Sequence, residues 1–162
     1  MKSKIALMGL GNILLRDEGV GVHVLHAIKE QYAFIPPVQL IDGGTLGFAL
    51  LPFFEDCGRI LIVDAVDFGK EPGHIEAIEE DHLPSVFLPK LSAHHMGLCD
   101  VLFAAKLMDI KPEKICLIGI QPGSIEVGLE MTETITSAVG DLTGLIIKKL
   151  KEWDVTCVLQ CL

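Results

Sequence analysis

The stretch Ile5-Ala6-Leu7-Met8-Gly9-Leu10-Gly11-Asn12-Ile13-Leu14-Leu15-Arg16-Asp17-Glu18-Gly19-Val20-Gly21 decides the fold. Ile5 to Met8 is apolar without interruption, which suits a strand buried on both faces, as in parallel sheets. Gly9 and Gly11 stop it. From Glu18 to Tyr32, Val20, Val24, Leu25 and Ile28 recur at helical spacing, with Lys29 and Glu30 on the opposite side. Asp17 is the expected N-cap of that helix. Strand, glycine turn and helix in this order open an α/β domain.

Working outward, Pro36-Pro37 breaks the chain before a second strand, Val38 to Ile41, which ends in the turn Asp42-Gly43-Gly44-Thr45. A short helix over Leu46, Ala49, Leu50 and Phe53 follows. Ile60 to Val63 forms a third buried strand and stops at Asp64. The segment from Asp67 to Gly73 is too short for a crossover helix, so His74 to Ile78 returns antiparallel as an edge strand. A helix from about Met96 to Met108 turns Leu98, Val101, Leu102 and Ala105 inward, and Ile115 to Ile120 is the fifth strand. The last helix, from about Thr134, carries Ile135, Val139, Leu142, Ile146 and Leu150 on one stripe. Gly140 and Gly144, one turn apart, are expected to let it pack closely.

This pattern predicts a three-layer α/β sandwich around a five-stranded mixed, mostly parallel sheet. Right-handed crossovers give the order 2-1-3-5-4, with strand 4 antiparallel. Residues 1–162 read as one domain, with a tail from about 154 that either covers a sheet edge or stays flexible. A monomer is the default expectation.

Composition removes several classes of function. With 13 basic against 22 acidic residues and a net charge of −9, nucleic acid is a poor partner. Lys148, Lys149 and Lys151 gather at a helix C-terminus, where the helix dipole favours cations. No apolar run approaches the roughly 20 residues of a membrane helix. Met1-Lys2-Ser3-Lys4 leads into a strand and not into a signal peptide, so a cytoplasmic location is expected. The five cysteines (57, 99, 116, 157 and 161) contain no C-x-x-C pair and read as reduced thiols, Cys116 as core.

The chemistry is carried by residues from three separate loop regions. Asp17-Glu18 follows the first strand, Asp64 ends the third, and His94 lies in Ser92-Ala93-His94-His95 before a helix. Ligands of open α/β sheets bind at the carboxyl ends of strands, near the point where the strand order reverses, here between strands one and three. Glu18, Asp64 and His94 meeting there would hold a divalent metal and leave coordination positions open. Other patterns are weaker. Gly9-x-Gly11 with Asp42 suggests a dinucleotide site, but position 14, where the third glycine would fall, is Leu14. His23, His26 and Glu30 share a helical spacing that could bind a metal, but a solvated face explains it better.

The motif from Gly9 to Gly21 closely resembles the opening signature of the nickel-iron hydrogenase maturation endopeptidases. Asp42-Gly43-Gly44-Thr45, Val63-Asp64-Ala65, the Ser-x-His of Ser92-Ala93-His94, and Gly119-Ile120-Gln121-Pro122 are similar to that family's later motifs, in the same order. The resemblance runs from residue 4 to about 150. It implies an endopeptidase that removes a C-terminal extension from a nickel-loaded hydrogenase large-subunit precursor. It also implies nickel ligation at Glu18, Asp64 and His94, and substrate recognition by Asp42, Gly43, Gly44 and Thr45. Other divalent ions would be able to substitute. Ala93 stands where many relatives have proline, and His95 is the second candidate for the imidazole ligand. The nickel would sit either in the protein's own site or on the substrate, and a non-catalytic nickel-sensing chaperone would use the same ligands.

Overall fold

The computed structural model describes residues 3–83 and 93–161, with 93–96 as backbone only. The chain begins with β1 (Ile5–Leu10), a 3-10 turn (Arg16–Gly19) and α1 (Val20–Gln31). Next come β2 (Tyr32–Ile35), β3 (Val38–Gly44), α2 (Leu51–Asp56), β4 (Arg59–Ala65) and β5 (Ile75–Glu79). The chain then builds α3 (Ala93–Leu107), β6 (Lys114–Ile120), α4 (Glu133–Glu152) and β7 (Thr156–Leu159).

The main sheet has the order β3-β1-β4-β6-β5, in which only β5 runs antiparallel to its neighbour. This is the predicted 2-1-3-5-4 arrangement. β1 is buried along its whole length, and β4 and β6 along all but their first residue, so the unbroken apolar runs are explained by two covered faces. Alternate strand residues feed two cores. Ile5, Leu7, Leu61 and Val63 pack with Val24 and Ile28 of α1 and with Ile135, Leu142, Ile146 and Leu150 of α4. Ala6, Met8, Ile60 and Ile62 pack on the other side with Leu50, Phe54, Leu98 and Val101.

Two expectations change. The first helix ends at Gln31, and Tyr32 instead opens β2, which pairs antiparallel with β7. The chain after Trp153 therefore builds a small second sheet with residues 32–35, a non-local pairing that leaves no local signature in the sequence. The second change concerns Gly140 and Gly144. A Cβ built at either position meets nothing within 4 Å, so these glycines face open space and pack against nothing. Helix α4 holds because Ile135, Leu142, Ile146 and Leu150 are fully buried. Each contributes about 1.5–3 kcal/mol, well above the penalty of about 1 kcal/mol for each glycine. Replacing both glycines by alanine should therefore raise the melting temperature by roughly 2–6 °C. A lower melting temperature by circular dichroism would mean that something does pack on that face.

Among the described residues no helix is long and apolar enough to cross a membrane. The cysteines are all free thiols. Cys116 is core, and burial together with the nearby Glu79 charge pushes its thiol up to about 12, so it is inert.

Candidate active site

Glycine packing places the first carboxylate. Gly11 has φ 123°, and a Cβ there would run into the backbone carbonyl of Glu18. A Cβ on Gly9 would strike the Gly21 carbonyl, and one on Gly21 the carbonyls of Val63 and Leu10. The turn after β1 and the start of α1 are thus pressed onto the ends of β1 and β4 at distances only glycine permits. The Gly9-x-Gly11 pair is accounted for by this packing, without a phosphate to cradle. Glu18, on the 3-10 turn, becomes buried at 8% exposure.

Asp64 closes β4 beside it, also buried, at 7% exposure. Its Oδ1 accepts a hydrogen bond from the Ala65 amide at 2.8 Å. Burial drives the Asp64 carboxyl well above the usual carboxylate range; the Ala65 hydrogen bond opposes this, and the Glu18 charge adds to it. Glu18 and Asp64 line one cavity of about 250 Å³ together with Gly11, Gly44 and Thr45, and Leu10, Leu15, Leu50 and Leu98 supply its apolar wall. Since one water occupies about 30 Å³ of liquid, this room suffices for an ion with its remaining ligands, or for a small side chain. Two mutually repelling carboxylates in a largely apolar cavity suit a divalent cation, which would offset both the desolvation and the repulsion. Among the described residues no group of three His, Cys, Asp or Glu side chains gathers around a metal position.

The predicted imidazole ligand lies at the edge of what is described. His94 and His95 fall in the first turn of α3, but their side chains, like all of Ser92, lie outside the described residues. Helical spacing puts position 94 on the same face as Gly97 and Leu98, which line the cavity. Position 95 is three residues before Leu98 but nearly half a turn from Gly97, so position 94 is the better centred of the two on the cavity-lining pair.

The predicted recognition turn divides in two. Gly44 and Thr45 line the cavity, and the Gly44 carbonyl accepts from the Gly11 amide at 3.0 Å. Gly43 is buried, and a Cβ there would run into the Leu10 side chain. Asp42 turns to His26, with its Oδ2 2.9 Å from Nε2. That pairing also dissolves the spacing argument for a His23, His26 and Glu30 metal site.

Asp17 is not the cap of α1. Gly19 holds that position, because the 3-10 turn comes first. The fully buried Asp17 carboxylate instead accepts from the amides of Gly123 (2.8 Å), Ser124 (2.9 Å) and Thr132 (2.7 Å), and from the Thr132 hydroxyl (2.8 Å). Thr132 is the N-cap residue of α4, so Asp17 ties the Glu18 turn to the start of the last helix. These partners lie 106 to 115 residues away, and nothing local in the sequence announces them.

With this geometry in view, resemblance to known proteins becomes decisive. A family model described as hydrogenase maturation protease matches residues 22–149. The chain belongs to the hydrogenase maturation protease family. It is 35% identical over 156 residues to the hydrogenase expression/formation protein HupD of Bradyrhizobium diazoefficiens, covering 95% of this chain and 81% of the relative. The Hydrogenase 2 maturation protease of Escherichia coli is 32% identical, covering 96% of this chain and 95% of the relative. Among solved structures, the hydrogenase maturating endopeptidase HybD from E. coli superposes with a TM-score of 0.90 at 31% identity, over 97% of this chain and 98% of that one. The similarity to these maturation proteases spans the cavity and all three layers.

Proposed function

We propose that this protease removes the C-terminal extension of a nickel-iron hydrogenase large-subunit precursor after nickel insertion, and that Glu18, Asp64 and His94 are the metal ligands of the site. The observation that carries the site assignment is the burial of Glu18 and Asp64 in one cavity at the carboxyl ends of β1 and β4. Those strands flank the reversal in strand order, where such sheets bind ligands. His94 is preferred to His95 on helical phase. Two carboxylates and a neutral imidazole suit a borderline divalent ion such as nickel, whether resident or delivered by the substrate. Bound there, the ion would polarise the scissile carbonyl or acidify a water.

The chain's own contributions are positional. Glu18 and Asp64 present their oxygens from backbone held by glycine contacts. Leu10, Leu50 and Leu98 keep bulk water from the reacting bond, which strengthens every charge interaction inside. Gly44 and Thr45, which line the cavity, would meet the substrate's extended peptide there. Five free thiols fit a reducing cytoplasm.

Intact mass spectrometry of nickel-loaded precursor tests this reading. Wild-type protein should produce one C-terminal mass loss. Glu18→Gln and His94→Ala should slow it by about 1,000-fold or more, as when a group acting in the transition state is removed. Full activity in His94→Ala together with loss in His95→Ala would move the third ligand by one residue. A stable complex with uncut precursor would replace the protease with a binding module.

A further inference from the structure

Two distant loops join into one lip beside the cavity. The Gly128 amide donates to the Leu14 carbonyl at 2.8 Å, the Arg16 amide to the Gly128 carbonyl at 2.9 Å, and the Asp17 amide to the Ser124 carbonyl at 3.1 Å. The Arg16 Nε reaches the Glu130 carbonyl at 3.1 Å, and the Asp17 carboxylate holds Gly123, Ser124 and Thr132 from below. These bonds fix the lip through main chain and leave much of its apolar side-chain surface open, although Ile13 also packs against Gly19. Ile13, Leu14, Ile125, Val127 and Leu129 are all exposed, Val127 to 87% and Leu129 to 69%. A gathered group of large apolar side chains on a rigid frame marks an interaction surface more than scattered exposure does.

The occupant follows from continuity with the cavity. Leu15, next to Leu14, lines it alongside Glu18. A cavity of about 250 Å³ contacts only a residue or two of substrate, whereas a specific protein pair buries about 800 Å² on each partner. Selection of one protein must therefore use surface beyond the cavity, and the lip adjoins it directly. Glu126 and Glu130 border its apolar residues in the sequence, in a mostly acidic chain, the pattern of an apolar contact centre with a charged rim. We propose that this lip is the docking surface for the folded body of the hydrogenase large-subunit precursor whose extension enters the cavity. The inference rests on the processing function proposed above.

Val127→Asp and Leu129→Asp test it, since both side chains are exposed and neither belongs to the metal site. Leu159→Asp, on β7 at the opposite end of α1, is an equally exposed control. Binding of nickel-loaded precursor is measured by biolayer interferometry, and cutting by mass spectrometry over a concentration series. Each lip variant should raise Kd and the half-saturating precursor concentration at least tenfold. The single-turnover rate at saturation and the melting temperature should stay as in wild type, and Leu159→Asp should behave as wild type. Unchanged Kd in both lip variants, or an equal effect from Leu159→Asp, overturns the proposal. So does a concentration-dependent dimer in sedimentation that Val127→Asp abolishes, because the occupant would then be a second copy. Wild type that binds precursor without any mass loss defeats the processing function alone, and the Kd comparison still decides the lip.

Discussion

Asp64→Asn is expected to abolish processing while making the metal-free protein more heat-stable. The two effects share one cause. Asp64 is buried, its charge is desolvated, and Glu18 stands near enough to raise its proton affinity further. An asparagine carbonyl can still accept the 2.8 Å hydrogen bond from the Ala65 amide, so the turn survives and the buried charge disappears. The rate should fall by about 1,000-fold or more, whereas the melting temperature near neutral pH should rise by several degrees, at roughly 2–4 °C per kcal/mol for this chain length. The sign with pH follows from the raised carboxyl. Below the ordinary aspartate value of 3.8 both folded and unfolded states hold the proton, and the wild type bears no penalty. The penalty grows as pH rises past that value and is complete above the folded-state value. The stability advantage of the variant should therefore narrow as pH is lowered, which thermal melts across pH would show. A less stable Asp64→Asn protein would mean that the carboxylate has a compensating partner in the fold. Stability surrendered for chemistry is the usual arrangement at working sites.

Gly21→Ala should unfold the domain or come close to it. The added methyl would lie against the main-chain oxygens of Val63 and Leu10, which belong to two adjacent central strands and have no flexible end to move aside. Relief would require α1 to lift from the sheet, pulling Val24 and Ile28 out of the core they share with β1 and β4. A loss of about 4 kcal/mol or more is expected, hence a melting point lower by roughly 8–16 °C or an insoluble product. The contrast with Gly140→Ala and Gly144→Ala, for which the opposite sign is expected, makes the comparison internal to one protein. A Gly21→Ala variant that melts like wild type would refute the close approach of helix and strands.

The sheet was legible because its strands are long apolar runs and its connections obey handedness, so order and the reversed edge strand followed from pattern alone. Asp64 stood out for a related reason, as a carboxylate closing a four-residue aliphatic run, whereas Glu18 on its own looks like an ordinary first-turn carboxylate and gains weight only from its conjunction with Asp64 and His94. What escaped depends on contacts between distant parts of the chain. Asp17 looks like a helix cap in its own neighbourhood, and only the folded chain brings residues 123–132 to it. Tyr32 continues a helical stripe until its partner strand arrives from the other end of the chain. Gly140 and Gly144 show how spacing misleads, since a small residue on a helix fits both close packing and bare solvent.

The glycines that press the first turn against the central strands also bear on how relatives should be judged. They are required by the architecture, and they would remain required in a protein that had lost its chemistry altogether. The glycines of the stretch by which the chain is most readily recognised therefore certify ancestry and shape, and are silent on competence. A homologue carrying the full glycine signature but a neutral, well-packed residue at the position of Asp64 would look like kin, melt at a higher temperature, and cut nothing.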